Sequence, residues 1–198
     1  PISSDLQASR LIGLQRLPRE VAVWTFRVGK DVEHPLRIGL RSLYDLRRLF
    51  QFCIQAGEIG ELLHIEGQHS GPSGYKLKHN WRATRVESPA GSMSPRGIHT
   101  LDSMINLGGL VTEVYAHSAR RKLQAPIDMD DTTSMLLKFG SGITGYFGTI
   151  FVTGELWRVH AFGTHGWIEM RGDTELIARG LDGNPERIED RKSTRLNS

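Results

Sequence analysis

The sequence predicts an α+β chain: a large open, mainly antiparallel sheet with helices on one face. Three observations carry that prediction. Two segments, 43–56 and 95–107, space their apolar residues at the period of amphipathic helices. From Leu110 onward, short apolar runs alternate with glycine-bearing turns, the mark of strands in an antiparallel meander. Those runs carry apolar side chains on both parities, which predicts a sheet covered on both faces.

Residues 1–40 scatter Arg10, Arg16, Arg19 and Arg27 among Leu, Val and Trp with no sustained period, so weak order is expected there. From Ser42 the pattern sharpens. Leu43, Leu46, Leu49, Phe50, Cys53 and Ile54 form one helical stripe, and Gly57 stops it. Gly60 then turns the chain into a strand over 61–67, followed by a Gly/Ser/Pro-rich loop through 69–75. Ser94 suits the N-cap of the second helix and Pro95 its first helical position, with Gly108-Gly109 ending it. Strands are predicted at 110–118, 132–139, 143–152, 156–163, 167–171 and 175–178. In the 143–152 run, Ile143, Phe147 and Phe151 share one parity while Tyr146, Ile150 and Val152 fall on the other face or at its end. There is no internal repeat.

The composition is that of an ordinary globular protein, 38% hydrophobic and 24% charged over 198 residues. No apolar run approaches the roughly 20 residues of a spanning helix, so no membrane role is expected. The single cysteine, Cys53, excludes an internal disulfide framework and suits a reducing, cytoplasmic setting. The net charge of +3 is unevenly spread: residues 1–50 carry +4, residues 190–198 carry +2, and residues 51–189 carry −3. That mildly acidic middle, with no basic stripe among aromatics, argues against nucleic acid. The last nine residues, D-R-K-S-T-R-L-N-S, resemble a translated sequencing adapter and are expected to be a non-native tail.

The chain has no G-x-G-x-x-G after a strand, no G-x-x-x-x-G-K-[ST], no cysteine pair for zinc, no H-E-x-x-H and no G-x-S-x-G. Attention falls instead on the second helix. Ile98, Leu101 and Ile105 are expected to form its core stripe, and His99 and Asp102 share the adjacent ridge. Two readings fit that ridge. One is a buried, hydrogen-bonded histidine with Asp102 orienting it, which the spacing alone favours. The other is a neutral imidazole serving as general base near neutral pH.

Several stretches together tip the choice to the second reading. G-E-I-G-E-L at 57–62, W-R at 81–82 and A-G-S-M-S-P-R-G-I-H-T-L-D at 90–102 resemble the glucose–fructose oxidoreductase and inositol dehydrogenase (Gfo/Idh/MocA) family. So do D-D-T-T-S-M-L-L-K-F-G-S-G at 130–142 and H-A-F-G-T-H-G-W-I-E-M at 160–170. The resemblance covers roughly residues 42–180 and implies the family's C-terminal domain, in which helices cover a large open sheet. It implies NAD(P)-dependent oxidation or reduction of a sugar, cyclitol or related polyol. NAD or NADP would be bound mainly by a Rossmann domain absent from this chain. The histidine that takes the substrate hydroxyl proton as hydride moves is, in this sequence, His99.

The sequence departs from the family at two places. Pro95 stands four residues before His99, where the family usually carries a catalytic aspartate, and proline cannot exchange a proton. Glu33-His34-Pro35 faintly resembles the family's E-K-P, with His34 in place of lysine and a shorter path to Gly57. The chain is therefore read as a poorly matching remnant over 1–41, a substrate-binding and oligomerisation domain over 42–189, and the tail over 190–198.

Substrate-binding residues are expected at Trp81, Arg82, Arg96 and Asp102. Trp81 and Arg82, with His79 and Asn80, offer an aromatic wall and polar groups suited to a polyol, and Arg96 suits an anionic group. Asp128, Asp130 and Asp131 superficially resemble a metal cluster, but aspartates before a strand are expected to serve a turn. Two functions remain. The first is the substrate half of an NAD(P)-dependent oxidoreductase, inactive by itself and homo-oligomeric through its sheet face. The second is a non-catalytic sugar-binding or scaffolding member of the same fold.

Overall fold

The computed structural model of the protein describes residues 22–28, 32–38, 43–77, 83–172, 174–181 and 186–189. The chain divides into two compact units, residues 1–61 with 163–198, and residues 62–162.

In the first unit, β1 (Ala22–Val28) and β2 (Val32–Ile38) pair antiparallel, with Val28 opposite Val32. This corrects the expectation of weak order over 1–40 for the part that is described. Val23, Trp24, Thr25, Phe26 and Val28 are strong strand formers, and a test for amphipathic period overlooks a run that is apolar at successive positions. Helix α1 (Leu43–Gln55) follows and packs against β8 (Gly166–Arg171) and β9 (Glu175–Gly180). Of the members of its predicted stripe whose burial is described, Leu49, Phe50 and Cys53 are buried and Ile54 is half-buried. Ile168, Met170, Leu176 and Ala178 supply the buried apolar side chains of the two strands. β9 pairs antiparallel with both β8 and β10 (Glu186–Glu189). Burial pushes the Cys53 thiol up to about 12, and the nearby Glu58 carboxylate adds to the shift.

The second unit contains β3 (Leu62–Ser70), a short 3-10 turn at Pro72–Lys76, a second at Gly91–Met93, helix α2 (Gly97–Gly108), and strands β4 (Val111–Ala119), β5 (Thr132–Phe139), β6 (Thr144–Ile150) and β7 (Leu156–Gly163). Strand order is β7-β3-β6-β5-β4. β4, β5 and β6 form the predicted antiparallel meander. β3 departs from it by pairing parallel with β6, His64 opposite Thr144 and Gln68 opposite Gly148. A parallel neighbour more than seventy residues away leaves no local mark in the sequence. The α+β class, with a mixed but largely antiparallel sheet, stands as predicted.

Helix α2 lies on β3 and β6, but not through the expected stripe. The buried residues are Gly97, Thr100, Met104 and Gly108, while Ile98 is 46% exposed and Leu101 and Ile105 are half-buried. The reason is close approach. A Cβ on Gly67 of β3 would lie 2.8 Å from Thr100 Cγ2 and closer still to Met104 Sδ; one on Gly97 would lie 2.6 Å from Phe147 Cζ. Backbone meets side chain where no Cβ intervenes, and this contact selects which face of the helix turns inward. The helix also starts later than predicted, because Ser94 and Pro95 belong to a turn and Arg96 occupies the N-cap. Gly91 sits against the Asp130 carbonyl, so the preceding 3-10 turn is anchored to the sheet before α2 begins.

The aspartates serve structure, as expected. Asp131 accepts the N–H groups of Arg121 (3.0 Å), Lys122 (2.7 Å) and Leu123 (2.9 Å), and the Thr132 hydroxyl at 3.0 Å. Burial alone would raise its carboxyl pKa, but these donors outweigh burial and hold it below the usual range. Asp130 is gripped by Arg85 through two bonds of 2.9 and 3.0 Å. Asp128 meets Arg120 at 3.3 Å. No metal-holding cluster occurs among the described residues.

The face of this sheet away from α2 is mixed rather than broadly apolar. Tyr115 is 74% and Leu136 58% exposed beside the half-buried Tyr146. Beside that row stand Lys138–Glu113 at 2.6 Å and Arg158–Glu66 at 2.8 Å, with His64 Nδ1 2.8 Å from Thr144 Oγ1. The apolar side chains of β6 are thus flanked by charges that neighbouring strands place on the same face.

Candidate active site

The C-terminal end of β3, the first turn of α2 and the start of β7 converge at one place. His69 is the next-to-last residue of β3, on the same side of the strand as Ile65 and Gly67, and therefore under α2. Its backbone is held by the Thr149 hydroxyl, which donates to the His69 carbonyl at 2.6 Å. Next along β3, the Ser70 hydroxyl accepts the Ile150 N–H at 3.0 Å. The His69 ring stacks on Trp157 of β7, with centroids 5.5 Å apart and planes 14° from parallel. His69 Nδ1 lies 3.5 Å from the hydroxyl of the buried Thr100.

Arg96 reaches across the same corner and donates to Glu155 at 3.2 Å. Gly71 makes room for it, since a Cβ there would lie 2.6 Å from Nη1. Burial holds the His69 pKa below the ordinary histidine range, and the Arg96 guanidinium and His99 act in the same direction. The Arg96 carbonyl, to which the ring donates, and the Glu155 carboxylate oppose them without prevailing. His69 is thus a neutral imidazole at neutral pH.

The structure places the sequence-derived residues as follows. His99 lies in the first turn of α2 with its side chain exposed, so the alternative of a buried, satisfied histidine does not hold. Asp102 is exposed one turn on, and no hydrogen bond joins it to His99 among the described residues. Pairing along a helix ridge needs both side chains to lean together, and here each faces solvent. Arg96 is beside His69, already paired with Glu155. Pro95 is exposed in the turn before the helix. Trp81 and Arg82, with His79 and Asn80, lie outside the described residues. Sequence reasoning missed His69, Trp157 and Glu155. The H-S-G-P-S-G run at the end of a strand is the one signal that marks His69; nothing local marks the other two.

These elements define a class: an open-sheet domain whose covering helix brings an imidazole and a guanidinium beside a second imidazole, carried by β3, at one sheet end. The family described as the GFO/IDH/MocA C-terminal domain matches residues 48–169, more than half of the chain. The chain belongs to that family, whose members are oxidoreductases. No curated protein matches it. Among solved structures it is similar to an NAD-binding oxidoreductase from Klebsiella pneumoniae, with 23% identity over 75% of this chain and 44% of that one, TM-score 0.66. It is also similar to levoglucosan dehydrogenase in complex with NADH and levoglucosan, with 20% identity over 71% and 42%, TM-score 0.62. An inositol dehydrogenase homolog complexed with NAD+ from Azotobacter vinelandii shares 17% identity over 73% and 40%, TM-score 0.62. At these identities the likeness speaks for the fold. The chain spans less than half the length of these structures.

Proposed function

We propose that residues 42–189 form the substrate-binding and oligomerisation part of an NAD(P)-dependent oxidoreductase acting on a sugar, cyclitol or related polyol. The observation that carries this reading is the exposed His99 at the start of α2, in a corner it shares with Arg96 and a neutral His69. A solvent-reachable imidazole there suits proton transfer with a substrate hydroxyl. Arg96, Asp102, Trp81 and Arg82 are its proposed substrate-binding companions, and the setting is cytoplasmic.

NAD or NADP does not fit the described residues alone, since no described strand runs through G-x-G-x-x-G into a helix. The cofactor is assigned to a nucleotide-binding part outside them, and this chain's role is to hold substrate and receive its proton. The homo-oligomer forms through the sheet face that carries Tyr115, Leu136 and Tyr146. In protein that includes the nucleotide-binding part, His99→Ala should lower turnover of the polyol by on the order of 10²-fold with folding intact. Unchanged turnover sinks the assignment. Pro95, in place of the family's aspartate, favours a second reading, a non-catalytic sugar binder; it predicts polyol binding without reduction of NAD+ or NADP+ by any polyol.

A further inference from the structure

We propose that His69 is a substrate-positioning residue of this site, accepting a hydrogen bond from a hydroxyl adjacent to the one whose proton goes to His99. The proposal rests on the reading of this corner as a polyol site. Three observations support it. The ring is fixed on two sides, by the stack on Trp157 and by its bond to the Arg96 carbonyl, so its direction is set before any ligand arrives. Having donated once, a neutral imidazole keeps one acceptor nitrogen, and the Thr100 hydroxyl, 3.5 Å from Nδ1, is at the limit of hydrogen-bond length and yields to a closer donor. And burial, aided by Arg96 and His99 on α2 and opposed by Glu155 before β7, leaves it neutral at neutral pH; a protonated ring could accept nothing.

A neutral acceptor beside an exposed imidazole discriminates between adjacent hydroxyls: one is bound, the other is deprotonated. The division of labour also offers a physical account of how a site with Pro95 keeps its substrate oriented. The aspartate's acceptor oxygens are gone, and a ring nitrogen from the strand beneath the helix supplies an acceptor instead. The sign of the pH dependence follows. Protonation of His69 removes the acceptor, so substrate binding weakens as pH falls through a value below the ordinary histidine range.

The test has two arms. In the active enzyme, His69→Phe keeps the stack on Trp157 but not the acceptor, and should raise KM for the polyol about tenfold with kcat within about threefold. His69→Gln restores an acceptor that does not titrate; KM should return to within about threefold and lose its rise at acid pH. An unmoved KM in His69→Phe, or an acid rise that persists in His69→Gln, overturns the proposal. In the 198-residue chain itself, histidine ring resonances followed against pH should show His69 titrating low. Added myo-inositol or glucose should shift its signals and lower that value further. A His69 ring that responds to neither probe also overturns the proposal. A responding ring in a protein that reduces no nicotinamide supports it while sinking the oxidoreductase reading.

Discussion

Helices α1 and α2 each cover strands, yet they do so by opposite means. α1 buries Leu49, Phe50 and Cys53, large or soft side chains at helical spacing. α2 buries Gly97, Thr100, Met104 and Gly108, and lies on a strand that has a glycine, Gly67, beneath it. The first packs by filling space, the second by removing it. The close approach turns the Ile98 side of α2 outward and leaves His99 exposed. A helix seated on small residues takes an orientation that depends on fit rather than on hydrophobic period.

The comparison can be broken in four places. The largest effect concerns Cys53. Its thiol, pushed up to about 12 by burial, should react with an alkylating agent on the order of 10³-fold slower in native than in unfolded protein near neutral pH. Equal rates would mean that α1 is not seated. Next, Leu49→Ala should cost about 3 kcal/mol in urea unfolding, because it opens a cavity under a fully buried side chain. Gly67→Ala should cost about 2 kcal/mol, since its methyl meets Thr100 and Met104 and must lift α2. A neutral result there would refute the close seat. Smallest, Ile98→Ser should cost only about 0.5 kcal/mol, as expected for a half-exposed position. A loss of 2 kcal/mol or more, by the same measurement, would restore Ile98, Leu101 and Ile105 as the packed stripe.

Much of the fold was legible. Strands bounded by glycine turns, the α1 stripe and the structural use of Asp131 all follow from local chemistry, because each is decided by residues near one another in the chain. The hairpin of β1 and β2 was missed, although its residues favour strands, because amphipathic period was asked of a run that does not show it. In the site, His99 and Arg96 were legible through the motif around them. His69 and Trp157 were not, since their partnership joins positions 69 and 157 across two strands.

The sequence by itself determined the α+β class and most element positions, because turn chemistry and hydrophobic period act over a few residues. Only the tertiary structure decided that β3 runs parallel beside β6, which face of α2 is buried, and that His69 meets Arg96 and His99 in one corner. Those outcomes depend on close approach between backbones distant in the chain, where a missing Cβ weighs more than any side chain present.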